Sequence, residues 1–211
     1  MIFVLLILLW CMPSYGAGAA VLLFYLYGAL PFPLIILYMR GQGDIFTQGS
    51  SNIGVANAFR SGGMLTGSLV VLSEVSKVAL PLLVSYLLFD GQLTVTVGLL
   101  AAVLLATNYS MYIGFRGGVG VTIAIYSLLV LAPLVLALVA ATYLVLKVTV
   151  KDSYWCLLLA YATAPLYLFL LSYDMRLVLF ALLAVMLMIL KYDRRIDDVR
   201  LLEKELARGA A

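Results

Sequence analysis

Apolar runs follow one another along almost the whole chain, and this feature limits its fold more than any other. Hydrophobic residues make up 65% of the 211 residues, charged residues make up 11%, and the mean hydropathy is +1.15. A water-soluble domain carries far more charge. Because a helix that crosses a bilayer needs roughly 20 apolar residues, we expect an all-α integral membrane protein without a soluble domain.

The breaks between these runs predict about seven short transmembrane helices. The predicted spans cover residues 17–39, 64–89, 92–113, 120–131, 133–149, 153–172 and 175–191. Pro31 and Pro33 should bend the first span, and Pro133 should divide two short ones, because proline removes a backbone donor. The chain then consists of an apolar N-terminal extension (1–16), a membrane domain (17–191) and a charged cytoplasmic tail (192–211).

The two ends of the chain differ from the membrane domain. Residues 2–12 are apolar but too few to cross a bilayer, and they lack the basic start of a signal peptide. They extend the first helix, lie in the membrane interface, or reflect an early start codon. The tail at 192–211 is strongly charged and has apolar residues at helical spacing, which predicts an amphipathic helix at the membrane surface.

Lys and Arg residues predict the orientation of the spans. With the N-terminus outside, seven spans leave Arg176 outside and Lys77 within a span. The other eleven lie inside: Arg40, Arg60, Arg116, Lys147, Lys151, Lys191, Arg194, Arg195, Arg200, Lys204 and Arg208. Positive charge is enriched on the cytoplasmic side of membrane proteins. The C-terminus and the loops at 40–60 and 114–119 should therefore be cytoplasmic, in a plasma membrane protein.

The composition also excludes several kinds of chemistry. The chain has no histidine, which removes the usual general base and the usual zinc or haem ligand. Acyltransferases with a His and Asp pair, metalloproteases and metal oxidases are excluded. Cys11 and Cys156 lie in apolar runs and should be unpaired thiols. We predict no metal, no other cofactor and no nucleic-acid partner.

The longest polar loop contains the first candidate site. Glycines and short polar side chains surround Ser50, Asn52, Asn57 and Arg60. Glycine permits positive φ, so that successive amides can point at one anion, and an arginine adds a charge-assisted contact to a phosphate. The alternative is an ordinary polar turn.

A second glycine-rich loop, residues 114–120, is predicted at the same membrane face. It contains Arg116, Gly117 and Gly118 and leads into the start of a predicted helix. The first turn of a helix has unpaired N–H donors and the positive end of its dipole, so this loop can bind a phosphate. The alternative is that the glycines only allow close packing of membrane helices.

Two charged residues within a predicted span are candidate catalytic residues. Glu74 and Lys77 are three residues apart and can pair on one helix face. Charges inside a membrane are costly and usually mark a functional interior, although a structural ion pair is the alternative. Asn108, just before the second loop, is the third catalytic candidate.

These segments, in this order, resemble the acyl-phosphate-dependent glycerol-3-phosphate acyltransferases of the PlsY type, which are small seven-span enzymes of phospholipid synthesis. Gly28–Pro33 resembles the family pattern GSxPFG, and Gly49–Arg60 resembles GSGNxGATNxxR. Glu74–Lys77 is similar to DxxK with a proline soon after, and Phe115–Thr122 is similar to FKGGKGVAT. The resemblance covers about residues 17–196.

The resemblance implies transfer of a fatty acyl group from acyl phosphate to glycerol 3-phosphate in the bilayer, by a monomer or weak oligomer. It implies that Ser50, Asn52, Asn57 and Arg60 line a phosphate site, with Lys77, Asn108, Arg116 and the Gly117–Gly118 amides around it. The proton of the acceptor hydroxyl would leave through the substrate phosphate or through Glu74.

Several positions depart from the family patterns. The GH pair before the second loop is Ala106-Thr107 here, the lysine of GGKG is Val119, and the histidine of RHxxN is Tyr192. The competing hypothesis is therefore a catalytically altered or inactive homologue that binds a phosphorylated lipid or a membrane partner. A transporter would need a polar path across the bilayer, which one Glu-Lys pair does not supply.

Overall fold

The computed structural model describes residues 1–150 and 152–191, and this part of the chain is helical without β-strands. Its α-helices are α1 (Ile2–Trp10), α2 (Tyr15–Gly28), α3 (Phe32–Met39), α4 (Val55–Phe89), α5 (Leu93–Asn108), α6 (Val121–Leu131), α7 (Pro133–Thr149), α8 (Ser153–Ala162), α9 (Ala164–Leu170) and α10 (Met175–Leu190). Two 3-10 turns, Ile45–Thr47 and Met111–Ile113, lie in the two polar loops. The predicted amphipathic tail at 192–211 lies outside the described residues.

Helix α5 forms the centre of the bundle. Twelve of its 16 residues are buried, and it packs against α1, α2, α4, α6 and α10. Small residues such as Ala101, Ala102 and Ala106 are completely or almost completely buried there, which lets neighbouring helices approach closely, as in other membrane bundles. The loop that follows α5 is thereby held at the middle of one end of the bundle.

Both predicted proline breaks are present. Helix α2 ends at Gly28 and α3 begins at Phe32, so the two are bent by 43° around Pro31. Helix α6 ends at Leu131, and Pro133 begins α7, where a missing N–H costs nothing.

The number of spans stays a prediction, because only some helices have the length that crossing a membrane requires. Val55–Phe89 and Leu93–Ile113 are long and apolar enough, and the bent pair α2 and α3 adds a third candidate. The other apolar helices are shorter, at 10 to 17 residues: Val121–Leu131, Pro133–Thr149, Trp155–Leu170 and Met175–Leu190.

One predicted boundary was wrong. Residues 55–60, assigned to the long polar loop, already belong to α4, and the backbone leaves helical geometry only at Gly63, with φ 75° and ψ −174°. The predicted span 153–172 contains the consecutive helices α8 and α9, which meet at Thr163 and together form the apolar helical stretch Trp155–Leu170, with Pro165 in the first turn of α9. Residues 55–60 have a mixed composition and no clear apolar period, so their polar side chains suggested a loop.

The N-terminal extension forms a helix of its own, α1, which packs against α2 and α5. The chain turns at Pro13, and α2 has its own N-cap, because the Ser14 hydroxyl accepts a hydrogen bond from the Ala17 amide at 3.2 Å. None of the α1 residues is buried. In the structure the extension therefore does not continue α2.

Candidate active site

The polar segments that the sequence singles out meet at one end of the bundle. The loop before α4 and the loop between α5 and α6 are in contact, with Gly118 packed against the carbonyl oxygen of Ile53. The N-terminal end of α4 and the C-terminal ends of α5 and α10 reach this same end. Side chains from four parts of the chain are therefore available to one ligand.

Asn57 shapes the first loop from the inside. Its side chain is fully buried, and its amide nitrogen donates to the backbone carbonyls of Ile45, Gln48 and Asn52 at 2.9–3.3 Å. Its side-chain oxygen accepts from the Ser50 amide at 3.1 Å. These hydrogen bonds of Asn57, a predicted binding residue, therefore stabilise the loop itself.

Gly49 and Ser50 lie directly against Asn57. Gly49 has φ +56°, and a Cβ atom there would overlap the Asn57 side-chain oxygen, so the position needs glycine. The Ser50 hydroxyl is buried and has no hydrogen-bond partner among the described residues. The aliphatic part of Arg60 packs beside Gly49. The loop thus holds a buried hydroxyl that still needs a partner.

The second loop is packed onto the end of α5. The Gly118 amide donates to the Thr107 carbonyl at 3.1 Å, and a Cβ atom at Gly117 would overlap the carbonyl oxygens of Thr107 and Asn108. Asn108 is fully buried, and its amide nitrogen donates to the Leu104 carbonyl at 2.9 Å. Its side-chain oxygen has no partner within the described part of the chain.

Glu74 and Lys77 form the predicted pair on α4. The Lys77 Nζ lies 2.9 Å from Glu74 Oε1 and 5.2 Å from the centroid of the Phe32 ring. The pair lines a cavity of about 20 Å³ together with Pro31, Gly117 and other residues of these loops. This volume suits about one water molecule, so the pair is close to the site but enclosed.

A larger pocket of about 290 Å³ adjoins this cavity and shares its wall at Ile53 and Gly117. The pocket is lined by Phe46, Ser51, Asn52, Ile53, Phe115, Arg116, Gly117, Val119 and Lys191. Arg116 is exposed and Lys191 is partly buried, so two cations border a pocket whose remaining lining is largely apolar. Asn52, Arg116 and Gly117 were predicted for the site.

The sequence-based site did not include Lys191, which was placed at the end of the last span and counted among the basic residues inside. Its Nζ lies 4.2 Å from the centroid of the Tyr109 ring. One signal in the sequence could have identified it, because Lys191 is the first residue of the segment that resembles RHxxN.

The opposite end of the bundle carries a different charge pattern. Asp174 and Arg176 form an exposed pair at 2.7 Å, and the Arg176 hydrogen bonds lower the pKa of Asp174 to about 2.

No cluster of three or more His, Cys, Asp or Glu side chains that suits a metal ion occurs in residues 1–150 and 152–191.

The fold and the site define a helical integral membrane protein with a cationic, glycine-lined pocket at one end. Comparison with known proteins identifies the family. The profile of the family described as glycerol-3-phosphate acyltransferase matches residues 18–203. The chain belongs to this family, of the PlsY type.

Individual relatives match the sequence of this chain over most of their own length. The glycerol-3-phosphate acyltransferase of Methylorubrum populi is 37% identical over 80% of this chain and 82% of its own. That of Rhodospirillum rubrum is 32% identical over 95% of this chain and 94% of its own. The crystal structure of PlsY, an integral membrane glycerol 3-phosphate acyltransferase, in its glycerol 3-phosphate form matches with a TM-score of 0.73 and 26% identity, over 90% of this chain and 93% of that one.

Proposed function

We propose that the chain is a membrane glycerol-3-phosphate acyltransferase that uses acyl phosphate as its donor, with its pocket on the cytoplasmic side of the plasma membrane. Family membership supports the acyltransferase activity, since relatives with that name match the chain over 82% and 94% of their own length. The helical membrane fold supports a lipid product, because such a product is released directly into the bilayer.

The pocket at Arg116 and Lys191 is the observation that carries the proposal. Its volume of about 290 Å³ is close to the lower end of the range for small-molecule sites, about 300 Å³. Two cations, Asn52 and the Gly117 backbone border the pocket, and such groups bind the phosphate and the hydroxyl groups of a phosphorylated polyol. Glycerol 3-phosphate, a small dianion with two hydroxyl groups, matches this pocket.

The reaction needs little from the protein beyond orientation and charge neutralisation. A hydroxyl oxygen of glycerol 3-phosphate attacks the acyl carbonyl carbon and forms the new ester bond. The bond from that carbon to the phosphate oxygen breaks, and phosphate leaves with the electron pair. The hydroxyl proton passes to the departing phosphate, whose second pKa is close to neutrality. Holding two anions in reacting geometry supplies most of the rate enhancement.

The proposal gives the predicted site residues separate roles. Arg60 and Arg116 neutralise phosphate charge, and the unpartnered Ser50 hydroxyl donates to a substrate oxygen. Asn52 and the Gly117 amide contact the acceptor from the pocket wall.

The remaining predicted residues hold the site in shape. Asn57 fixes the first loop, and Asn108 with Gly118 fixes the second. Glu74 is paired with Lys77 in a cavity that suits about one water molecule, so the pair supports the loops and the leaving phosphate serves as the proton acceptor.

The competing function is binding without catalysis. It is favoured by Val119 and Thr107, which replace a lysine and a histidine of the related motifs. Histidine is not required by the reaction above, because acyl phosphate supplies both the good leaving group and the proton acceptor. This set of residues therefore suffices for the proposed reaction.

The proposal is tested with labelled glycerol 3-phosphate and purified protein in liposomes. Acyl phosphate and acyl-CoA of the same chain length are offered separately, and label in the lipid phase is counted. We expect labelled lipid with acyl phosphate and none with acyl-CoA. Labelled lipid with acyl-CoA alone would contradict the proposed donor. No labelled lipid with either donor, from protein that still binds glycerol 3-phosphate, would favour binding without catalysis.

A further inference from the structure

A slot of about 280 Å³ lies between three helices, toward the end of the bundle opposite the cationic pocket. Helix α5 forms its floor, which includes the small residues Gly98 and Ala101, and α1 and α10 form its two walls. Ile7 and Leu179 on these walls are 44% and 58% exposed, so the slot opens toward the lipid. Because an apolar cavity of about 150 Å³ already holds a benzene molecule, this slot has room for a length of hydrocarbon chain.

The slot extends through only one leaflet of the membrane. Thr94 and Ala101 on α5, like Arg176 and Leu183 on α10, are seven residues apart, which is about 10 Å of helix. The cationic pocket at Lys191 lies about 12 Å beyond Leu183. Since a hydrocarbon core of about 30 Å consists of two leaflets, the slot accepts a lipid chain from the leaflet opposite the pocket.

Arg176 lies at the polar end of the slot. Its guanidinium donates to the two carboxylate oxygens of Asp174 at 2.8 and 2.7 Å and to the Thr94 hydroxyl at 2.5 Å. A guanidinium has five N–H groups, so two of them have no partner within residues 1–150 and 152–191. The arginine side chain is 46% exposed and the aspartate side chain 37%, so both charges can contact a ligand.

Two aromatic side chains indicate that this end of the bundle lies at a membrane interface. Trp10 is the last residue of α1 and is 90% exposed, and Tyr15 is the first residue of α2 and is fully exposed. They flank the turn in which Cys11 and Met12 line the slot. Trp and Tyr are enriched at the level of the lipid headgroups. A lipid whose chain lies in the slot therefore has its headgroup at the level of the exposed ion pair.

We propose that the slot between α1, α5 and α10 binds one glycerophospholipid of the leaflet opposite the pocket, with a zwitterionic headgroup of phosphate and ammonium. One acyl chain lies in the slot, the phosphate accepts hydrogen bonds from Arg176, and the ammonium contacts Asp174. A headgroup with net negative charge binds less well, because Asp174 repels it. The inference goes beyond the proposed function and holds for any acyl donor.

The lipid gives the N-terminal extension a role. None of the α1 residues is buried, and a chain in the slot connects α1 to α10. Helix α1 also lies outside residues 18–203, the part of the chain that matches the family profile. One wall of this lipid site is therefore formed by residues that the profile does not cover.

The test measures lipid binding to delipidated protein in detergent by native mass spectrometry, with phosphatidylethanolamine and phosphatidylglycerol of the same acyl chains. Wild-type protein should bind phosphatidylethanolamine several-fold more tightly. Arg176→Gln should weaken that binding about tenfold, the lower end for loss of a hydrogen bond to a charged group. Asp174→Asn should abolish the preference between the two lipids. Arg40→Gln, an exposed cation outside the slot, is the matched control and should bind as wild type does.

Two further variants test the slot itself. Cys11→Phe fills it from an exposed wall position, and Gly98→Leu fills it from the floor, where the flexible Met12 side chain lies against the glycine. Both should weaken the binding of both lipids, and a melting temperature of Cys11→Phe close to that of wild type shows that the loss is not due to unfolding.

Two results would overturn the inference. Equal binding of both lipids to wild-type protein, Arg176→Gln and Cys11→Phe would show adventitious lipid only. Unchanged lipid binding by Gly98→Leu, together with a shift toward shorter acyl phosphates in acyl transfer, would show that the slot holds the chain of the donor instead. Neither result would contradict the proposed function, which depends on the opposite end of the bundle.

Discussion

Glu74 and Lys77 form an ion pair on α4, with 2.9 Å between Lys77 Nζ and Glu74 Oε1. Only 3% of the lysine side chain and 7% of the glutamate side chain is exposed, at the level of the two glycine-rich loops. An enclosed pair of this kind contributes little net stability but is costly to break, because removing one partner leaves a buried charge.

Comparing the loss of the lysine alone with the loss of both charges should therefore separate stability from function. Lys77→Met should lower the melting temperature, because an unpaired Glu74 costs about 3–5 kcal/mol, and it should impair acyl transfer in the fraction that remains folded. The double variant Glu74→Gln/Lys77→Met should regain thermal stability without regaining activity. Recovery of both in the double variant, measured by thermal unfolding and product formation, would contradict the role of the pair in supporting the two loops.

The contact between Gly49 and Asn57 predicts a position that tolerates no side chain. Gly49→Ala should displace Asn57, disrupt the hydrogen bonds that shape the loop, and lower acyl transfer by at least about tenfold. Gly41→Ala is the matched control, since Gly41 also has positive φ, at +66°, but a Cβ atom there meets nothing within 4 Å. Equal effects of the two substitutions would show that backbone strain alone is responsible.

Arg60 is predicted to bind phosphate from the start of α4. Arg60→Ala should abolish binding of glycerol 3-phosphate or acyl phosphate to purified protein, because a charge-assisted contact near a membrane surface is lost. Arg40→Ala removes an exposed cation before the same loop and should leave binding unchanged. Calorimetric titration of both variants gives the comparison, and normal binding by Arg60→Ala would exclude its place in the phosphate site.

The orientation of the pocket can be read from cysteine labelling in a Cys11→Ala background, which leaves only the buried thiol of Cys156. Tyr112 is exposed beside the second loop, and Met175 is exposed at the other end of the bundle. A membrane-impermeant maleimide should label Met175→Cys in intact cells and Tyr112→Cys only after lysis. The reverse pattern would place the pocket outside.

Features that depend on local chemistry could be predicted from the sequence. Pro31 and Pro133 break helices at the expected places, because a proline acts on its own turn. The two glycine-rich loops come together because the spans between them return the chain to the same end. The family resemblance rests on these same local motifs, and the family match bears it out.

Features that depend on packing could not be predicted in this way. Asn57 has the composition of a binding residue, yet three carbonyls within its own loop occupy its amide nitrogen. The pairing of Lys191 with Tyr109 joins residues 82 positions apart in the sequence, and no periodic pattern reports such a contact. Tertiary structure decides which polar groups remain available for a ligand.

Phosphate release from a long-chain acyl phosphate by the purified protein in lipid, with and without glycerol 3-phosphate, tests the central claim most directly. The account predicts release that depends on the acceptor and is lost in Ser50→Ala and Arg60→Ala protein that still folds. Release at the same rate without acceptor, or no release from protein that binds glycerol 3-phosphate, would contradict an acyltransferase that works without histidine.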